Sequence, residues 1–573
     1  MREVFYYFLL LFSFSFLQTP AQEEAEALLK WKNSLSSHGL TSWSLNSSSS
    51  TTTPCNWTGI RCNKIGRIVG INLAKSGLIG TLYQFTFTIH LTSLFTLNTL
   101  GLTLFWGFPT QVSQLRLGAI PSEIGNLLNL RVLCLFNNSL VGPIPYQLSN
   151  LRQVSHLHLG GNYLENPDPI RFKSMASLTD LNLHYNLLTL EVPPFIFQCS
   201  KLIFLDLSYN NFTSMIPVQL FTSLKVLKFL NLTQNQFEGP IPMEIKNLAE
   251  LQELKLGENR LNGTIPSEIG LQSNLRILEL HENPFHGPIP SSIGSLRMLE
   301  RLNILKAGLN SSIPYELGFC TNLSFLELSQ NNLVGPLPPS MASLTRISEL
   351  GLSSNQISGE IHPFFLSNWT ELISLQLHKN NLSGTIPPEI GSLHKLNFLI
   401  LFQNQLSGSM PWEIGNILNL YELDLSNNHL TGFIPPSIGN LSRLAKLSLM
   451  NNQLSGTLPH EMGKLKRLQF LDLSLNKLHG TLPSSITHLE NLNSLYVHYN
   501  NFSGNIPKDF GPSSLGSVSF SVNNFTGKLP PQICIGGKLV YLTADQNMFD
   551  GSIPPSLKNC TGLAPRRPVI QIR

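Results

Sequence analysis

Residues that could carry out catalysis are present in this 573-residue chain, but none stands in a catalytic arrangement. Asp509-Phe510-Gly511 matches a metal-binding tripeptide of phosphotransfer enzymes, yet no glycine-rich loop, strand lysine or His-Arg-Asp sequence accompanies it. His-Glu-x-x-His, Walker and Cys-x-x-Cys motifs do not occur either. We therefore expect no catalytic residue, no cofactor and no metal site, and the chain is not predicted to be an enzyme.

Side chains suited to binding occur in three sets, at positions between or just after paired leucines. Aromatic and charged groups on a rigid surface suit the capture of an extended peptide. The alternative is that these side chains face solvent and have drifted without a function. The first set is His156, His158, His184, Tyr185 and Tyr209; the second is Lys255, Glu279, His281, Glu282, Arg301 and Lys306; the third is Gln376, His378, Lys379, Phe402 and Gln403.

A 24-residue repeat must position these side chains. A fixed period of this length indicates a solenoid, in which alternating leucines form a short strand with its apolar side inward. We predict an α/β solenoid whose parallel strands line the concave face of a superhelix. The repeat reads Leu130-x-x-Leu133-x-Leu135-x-x-Asn138-x-Leu140-x-Gly142-x-Ile144-Pro145. Its Asn recurs as Asn162, Asn186, Asn210, Asn235, Asn259, Asn283, Asn331, Asn355, Asn380, Asn404, Asn428, Asn452, Asn476, Asn500, Asn523 and Asn547.

The recurring Asn is expected to be buried at a turn. There its amide can satisfy backbone groups of adjacent coils that have no other partner, so we predict a structural role. Ala307 replaces this Asn in one coil, and the interval that ends at Asn380 is 25 residues because His362 is inserted before Pro363.

The seven cysteines can be sorted by their place in the repeat. Cys199, Cys320 and Cys560 lie three residues before the first strand leucine, so burial as small apolar side chains is expected. Cys534 and Cys560 are 26 residues apart, and a disulfide between them is an open alternative. Cys134 lies between Leu133 and Leu135, and we expect a free thiol that faces outward.

The ends of the chain differ from the repeat. Residues 1–21 have the basic start, apolar run and small residues of a secretory signal, and residues 22–66 are predicted to cap the first coil. The solenoid is assigned to residues 67–563, with a degenerate part around 84–121 where a spacing of half a period predicts that a strand is absent. A membrane span over 85–108 is the less favoured alternative there. Residues 564–573 form a non-repeat tail without a closing cap.

Fourteen Asn-x-Ser/Thr sequons agree with an extracytoplasmic location. Some arise only because the repeat is rich in Asn and Ser, so not every sequon is expected to carry glycan. A net charge of +4 and 13% charged residues give no basic surface for nucleic acid. The sequons are Asn46, Asn56, Asn137, Asn211, Asn231, Asn262, Asn310, Asn322, Asn368, Asn381, Asn440, Asn501, Asn524 and Asn559.

Three motifs together carry a family resemblance. They are the helix Ala27-Leu-Leu-x-Trp-Lys32 with the closure Trp57-x-Gly-Ile-x-Cys62, the recurring Leu382-Ser-Gly-Thr-Ile-Pro387, and the segments 529–534 and 556–561. This combination resembles the ectodomain of plant leucine-rich-repeat receptor-like kinases, closest to the male-discoverer-interacting kinases. The resemblance implies a secreted ligand, often a peptide, a smaller leucine-rich co-receptor and a cytoplasmic kinase. A disulfide between Cys55 and Cys62 is expected in the cap.

The sequence therefore predicts a ligand-recognition ectodomain, with a peptide as the expected ligand, that lacks its own kinase. After residue 563 the next strand is expected but does not follow, which we interpret as truncation. We expect the secretory pathway as location, with the outer face of the plasma membrane for a longer receptor and secretion otherwise. A secreted inhibitor of a microbial wall-degrading enzyme and an inactive truncated product remain alternatives.

Overall fold

The computed structural model describes residues 20–33, 40–44, 54–74, 91, 93–98, 118–550, 552–560 and 562. Two compact units divide the chain, residues 1–261 and 262–573. The predicted signal segment before residue 20, the run 85–90 with 99–108, the sequon Asn46 and the tail 564–573 lie outside the described residues. No helix in the described ranges has the length and apolar character needed to span a membrane.

The first unit begins with the predicted cap. Helix Pro20–Lys32 buries Leu28 and Trp31, and strand Ile60–Cys62 pairs antiparallel with Ile68–Asn72. The 3₁₀ turn Pro54–Asn56 precedes this pair and places Cys55 in a disulfide with Cys62, as expected. The cap therefore covers the first coil with an apolar helix and a covalently closed hairpin.

Buried Glu24 joins the cap helix to the first coil. Its carboxylate accepts hydrogen bonds from Arg67 Nε at 2.7 Å and from the backbone N–H of Ile68 at 2.8 Å. Trp43 packs on both Trp31 and Trp57, with ring centroids 6.2 and 5.4 Å apart. The cationic partner and the backbone donor offset the desolvation cost of burying this carboxylate.

Short strands built on the paired leucines form a parallel sheet in each unit. The first-unit strands are Ile68–Asn72, Thr96–Asn98, Val132–Cys134, His156–His158, Asp180–Asn182, Phe204–Asp206, Phe229–Asn231 and Glu253–Lys255. The second-unit strands are Ile277–Glu279, Arg301–Asn303, Phe325–Glu327, Glu349–Gly351, Ser374–Gln376, Phe398–Ile400, Glu422–Asp424, Lys446–Ser448, Phe470–Asp472, Ser494–Tyr496, Ser517–Ser519 and Tyr541–Thr543. The register aligns leucine with leucine, as in Leu181 with Leu205 and Leu375 with Leu399, so each central side chain faces the core.

The degenerate part of the repeat leaves the first sheet continuous. Strand Thr96–Asn98 pairs with Ile68–Asn72 on one side and with Val132–Cys134 on the other. Leu97 and Leu133 are register partners although 36 residues separate them. The strand pairing is therefore uninterrupted on both sides of Thr96–Asn98.

A second series of short strands follows the turn in many coils. In the first unit these strands are Val141–Pro143, Tyr163–Glu165, Thr189–Leu190, Asn211–Phe212, Glu238–Gly239 and Arg260–Leu261. In the second unit they are Asn310–Ser311, Asn332–Gly335, Gln356–Glu360, Asn381–Ser383, Ser407–Ser409, His429–Thr431, His479–Gly480, Asn501–Asn505, Asn524–Gly527 and Met548–Phe549.

Short helical turns after Pro close most coils. The 3₁₀ turns are Ser122–Asn126, Tyr146–Asn150, Pro194–Gln198, Met243–Asn247, Ser267–Leu271, Ser291–Ser295, Tyr315–Phe319, Pro339–Ser343, Pro388–Ser392, Trp412–Asn416, Pro436–Asn440, His460–Lys464, Ser484–His488 and Pro555–Asn559. Asp509-Phe510-Gly511 lies at the same place in its coil, where Phe510 is fully buried and packs on Phe520. That burial gives the tripeptide a packing role.

Two coils are one residue longer than the period, and both contain a short α-helix. Val218–Ser223 lies in the interval from Asn210 to Asn235, and Pro363–Asn368 in the interval from Asn355 to Asn380. After the second helix the N–H of Trp369 donates to the carbonyl four residues earlier, whereas a 3₁₀ turn donates to the carbonyl three residues earlier. The wider helical turn absorbs the extra residue without shifting the strand register.

Most of the Asn ladder is buried as predicted, whereas Asn138, Asn476 and Asn547 are half-buried. Asn404 Nδ2 donates to the carbonyls of Leu377 in the preceding coil and Leu401 in its own coil, both at 3.0 Å. Its Oδ1 accepts the N–H of Leu382 at 3.0 Å. One side chain therefore satisfies backbone groups of two coils.

Ala307 interrupts the ladder in the second unit. Asn331 of the next coil compensates in part, because its Oδ1 accepts the N–H of both Ala307 and Leu309 at 3.0 Å. The following residue, Gly308, has a φ of +68°. Glycine adopts this left-handed conformation without the steric cost that a side chain would bring.

We expect Asn404→Ala to lower the free energy of unfolding of its region by about 1–3 kcal/mol, because it leaves buried backbone groups unpaired. Thermal unfolding and amide exchange at Leu382 would measure the loss. Asn416→Ala is the matched control, since Asn416 is exposed in the same coil. Equal stability of the two variants would contradict a structural role for the ladder.

The cysteine predictions can be compared with the structure residue by residue. Cys199 and Cys320 are free and buried, and burial raises the pKa of both thiols, that of Cys320 to about 11. Cys560 is buried and bonded to Cys534, so the open alternative of a second disulfide is the observed one. Cys134 is free and half-buried at its outward strand position.

Candidate ligand-binding face

The outward side chains of the leucine strands, with the turn residues that follow them, form what we call the strand face. The residue before each ladder Asn has a left-handed backbone, for example Tyr185 with φ 50° and Lys379 with φ 57°. Positive φ is uncommon outside glycine, yet it recurs here coil after coil. The turn therefore fixes how these side chains leave the sheet, whatever residue occupies the position.

The common Asp-Leu-Ser strand ending is satisfied within its own coil. Asp424 Oδ1 accepts the N–H of Ser426 at 2.9 Å and its hydroxyl at 2.6 Å. Asp472 and Ser474 repeat this arrangement. These pairs hold the strand end, so departures from Asp and Ser supply the groups available to a ligand.

The first predicted set is brought together in the first unit. His158 Nε2 lies 2.7 Å from Asp180 Oδ1, and the rings of His156 and His158 are 6.2 Å apart. Tyr185 and Tyr209 form a pair with centroids 5.9 Å apart, 60% and 42% exposed. We call these five predicted residues the histidine–tyrosine set.

Two histidines of this set have opposite electrostatic environments. Hydrogen bonds to Asp180 and to Cys134 raise the pKa of His158 to about 9, so its ring is cationic at neutral pH. Burial lowers the pKa of His184, and the nearby His158 adds to that effect. The face therefore presents one cationic and one neutral imidazole in adjacent coils.

Asp180→Asn should lower the pKa of His158 toward its ordinary value near 6.5, because the carboxylate is the main stabiliser of the imidazolium. The raised pKa stabilises the fold fully below about 6.5, and this contribution is lost as the pH rises through about 9. An NMR titration of the His158 ring measures both effects. His156→Gln should leave the pKa high, and a wild-type pKa near 6.5 would contradict the pairing.

The second predicted set divides between the two units. In the first unit Lys255 lies 2.9 Å from Glu253 and 5.1 Å from the centre of the Phe229 ring. In the second unit Lys306 pairs with Glu282 at 3.1 Å. The charges of this set are thus largely compensated by neighbours on the face.

Arg301 is the most constrained member of the second set. Its Nε donates to Glu279 Oε1 at 2.7 Å, and its guanidinium stacks 3.5 Å from the centre of the Phe325 ring. His281, half-buried, lies 3.3 Å from the amide of Asn303. A ligand carboxylate could reach Arg301 only by competing with Glu279.

The third predicted set forms an aromatic platform in the second unit. His378 stacks on Phe402 with centroids 4.4 Å apart and planes 17° apart, and Lys379 Nζ lies 5.8 Å from the same ring. Burial, then Lys379, lowers the pKa of His378, so its ring is neutral. Its Nδ1 is buried without a hydrogen-bond partner among the described residues. Gln376 donates to Ser374, and Gln403 is exposed.

The sequence prediction missed a fourth set on the same unit. Tyr496 lies 5.8 Å from Phe470 and 6.2 Å from His498, and His498 lies 5.9 Å from Tyr499, between ring centroids. Burial lowers the pKa of His498 and leaves its Nδ1 without a partner in the described ranges, as at His378. The signal was present, because Tyr496, His498 and Tyr499 occupy the repeat positions of Gln376, His378 and Lys379.

The described sequons differ in exposure. Asn231 and Asn322 are half-buried; Asn231 donates to Ser208, and Asn322 donates to the Arg297 carbonyl. The side chain of Asn559 lies outside the described residues. The exposed ones are Asn56, Asn137, Asn211, Asn262, Asn310, Asn368, Asn381, Asn440, Asn501 and Asn524.

Comparison with known proteins identifies the family to which this architecture belongs. Family models for the leucine-rich-repeat region match residues 189–379, for the leucine-rich-repeat N-terminal domain 21–63, and for leucine-rich repeats 418–478, 129–151, 371–393 and 491–513. The Arabidopsis receptor kinase HAESA, solved with the peptide hormone IDA and the co-receptor SERK1, is 30% identical with a TM-score of 0.81. That match covers 96% of this chain and 93% of the HAESA chain. This chain belongs to the leucine-rich-repeat ectodomains of plant receptor kinases.

Further relatives of the ectodomain agree. The structure of PEPR1 with AtPEP1 is 31% identical with a TM-score of 0.79, over 94% of this chain and 77% of that chain. The Arabidopsis kinase RGI4 is 36% identical over 145 residues, which are 24% of this chain and 12% of RGI4. MDIS1-interacting receptor like kinase 2 from Arabidopsis is 41% identical over 80 residues, 13% and 7% of the two chains. The matches to these kinases thus cover a small part of each, and the predicted family resemblance is confirmed.

Proposed function

We propose that this ectodomain faces the cell exterior and captures a secreted peptide on its strand face. The observation that carries the proposal is the aromatic platform of His378 and Phe402, built at the repeat position where other coils hold a serine bonded to Asp, such as Ser426. Aromatic side chains on a rigid surface give large contact area with little loss of conformational entropy. The relatives HAESA and PEPR1 were solved with IDA and AtPEP1 respectively.

The spacing of the strands suits an extended ligand. Parallel strands stand about 4.8 Å apart, and an extended peptide advances about 3.3 Å per residue. The strands that bear Gln376 and Tyr496 are separated by five strand intervals in the second unit. About seven residues of peptide would therefore reach from the third set to the fourth.

We infer the co-receptor and the membrane location of this ectodomain by analogy with its family. HAESA was solved with the co-receptor SERK1, and we propose that a smaller leucine-rich-repeat co-receptor joins this ectodomain once its peptide is bound. The curated relatives are receptor-like kinases, so the ectodomain would act at the outer face of the plasma membrane as part of a signalling receptor.

Selection from a displayed library of random dodecapeptides on the glycosylated chain tests the proposal. Enriched peptides should share a motif and lose affinity when Tyr185 and Tyr209 or His378 and Phe402 are replaced by Ala. A pool that shows no enrichment, or whose binding survives both double variants, would overturn peptide capture on this face.

Charge variants refine the same test. Arg301→Glu should weaken any peptide whose acidic group reaches this residue, because it reverses the charge and leaves Glu279 without its partner. The swapped pair Glu279→Lys with Arg301→Glu restores an ion pair and serves as the folding control. If the swapped pair recovers binding, the ion pair contributes to binding only through its stability. The orientation of the two charges then does not matter for binding.

A further inference from the structure

A thiol, an imidazole and a carboxylate lie in sequence on three neighbouring strands of the first unit. Cys134 and His158 are direct register partners on adjacent parallel strands, which stand about 4.8 Å apart. His158 Nε2 then lies 2.7 Å from Asp180 Oδ1 on the next strand. The side chains of His158 and Asp180 are 33% and 27% exposed, so solvent reaches the row.

This row has the order of groups that activates a nucleophilic thiol. The carboxylate orients the imidazole and keeps it protonated, and a protonated imidazole beside a cysteine favours the thiolate, which is the reactive form. The raised pKa of His158 supports this charge state, since hydrogen bonds to Asp180 and Cys134 are its two largest causes. The ring is cationic at neutral pH.

The two described strands that flank Cys134 carry no carboxylate, which would favour the neutral thiol. The strand on its other side, Thr96–Asn98, carries no titratable side chain. Arg131, which directly precedes the strand of Cys134, lies over the Phe95 ring at 5.3 Å. On the flanking strand, His156 contacts the Ser155 hydroxyl. His184 lies two residues after the strand Asp180–Asn182, and burial lowers its pKa.

We propose that Cys134 is a reactive thiol that exchanges with small-molecule disulfides and carries a mixed disulfide on the strand face. The Cys134 thiolate attacks one sulfur of the disulfide, a new sulfur–sulfur bond forms, and the original sulfur–sulfur bond breaks. The other half departs as a thiolate and takes a proton from solvent. Cys134 is oxidised, the departing sulfur is reduced, and no further oxidant is needed.

Two other free cysteines of the chain provide an internal control for this chemistry. Cys199 and Cys320 are free but fully buried, and burial raises the pKa of both thiols. They should be inert in the folded protein. A modification confined to Cys134 would place a new polar group beside the histidine–tyrosine set; its effect on ligand capture rests on the proposed function, whereas the exchange itself does not.

Incubation of the whole chain with oxidised glutathione at pH 6, followed by mass spectrometry, tests the proposal. One mixed disulfide should form, map to Cys134, and appear at least about tenfold faster than on an unstructured cysteine peptide. His158→Gln and Asp180→Asn should each slow the reaction toward the peptide rate, and Asp180→Glu should restore it. Cys134→Ser should abolish the product.

Protection of Cys199 and Cys320 in the same samples reports folding, since an unfolded variant would react at all three thiols. A native Cys134 that reacts no faster than the peptide would overturn the proposal. So would an unchanged rate in a folded His158→Gln chain. A failure of peptide selection with retained Cys134 reactivity would refute only the proposed function.

Discussion

Replacing Trp369 with alanine should lower the free energy of unfolding by about 3–5 kcal/mol, because a large buried side chain is removed and a cavity remains. Trp369 is fully buried directly after the helix Pro363–Asn368. Its indole Nε1 donates to the Met341 carbonyl at 2.9 Å, and its ring stacks on Phe365 at 4.9 Å. The residue therefore anchors the one-residue insertion of its coil to the preceding coil.

Denaturant unfolding would measure the loss of unfolding free energy. Circular dichroism should be the signal, so that the readout does not depend on tryptophan. Trp412→Ala is the matched control, because Trp412 is 63% exposed and should change stability by less than about 0.5 kcal/mol. Comparable destabilisation by the two substitutions would contradict the assigned role of Trp369. Hydrogen exchange should show the increased opening first in this coil, since solenoid coils are stabilised by their nearest neighbours.

Phe402→Ala should weaken peptide binding by about thirtyfold or more, which corresponds to about 2 kcal/mol for an aromatic hot spot. The Phe402 ring supports both His378 and Lys379, so its removal takes away the platform as well as its own contact area. Isothermal titration with a library-selected peptide would give the affinity.

Phe433→Ala is the control for this prediction. Phe433 is 63% exposed but lies outside the strands of the strand face, so binding should be retained. The unfolding midpoint of both variants should stay close to that of the parent chain, because Phe402 is only half-buried. Unchanged affinity in a folded Phe402→Ala chain would remove the third set from the proposed site.

The repetitive features could be predicted from the sequence because one physical arrangement is repeated many times. The period identified Asn404 as a buried amide before its partners Leu377 and Leu382 were known. The same reasoning left a disulfide between Cys534 and Cys560 as an open alternative, because their separation is close to one period, and the structure contains this bond. Burial and register are therefore encoded locally in this chain.

Features that depend on how neighbouring side chains pack could not be predicted in the same way. The insertion of His362 was visible in sequence, but the sequence did not show that an α-helical turn, Pro363–Asn368, would accommodate it. The interval from Asn210 to Asn235 has the same extra residue, and it was missed because its Pro217 turn looks regular.

The candidate site shows a similar division. Strand alternation identified the outward positions, yet the pairing of Arg301 with Glu279 reduces the charge available to a ligand. The set around Tyr496 was overlooked although it occupies equivalent repeat positions. The raised pKa of His158 depends on Asp180, which lies 22 residues away in sequence. Only the strand register brings the two side chains close together.

A cross-linking map of a photoreactive, library-selected peptide on the glycosylated chain tests the central claim most directly. Peptide capture on the strand face predicts adducts at outward positions such as His378, Phe402 and Tyr496, with few or none on the 3₁₀ turns that follow the recurring proline. Adducts concentrated on those turns, for example at Trp412, with the strand positions unlabelled, would contradict the account.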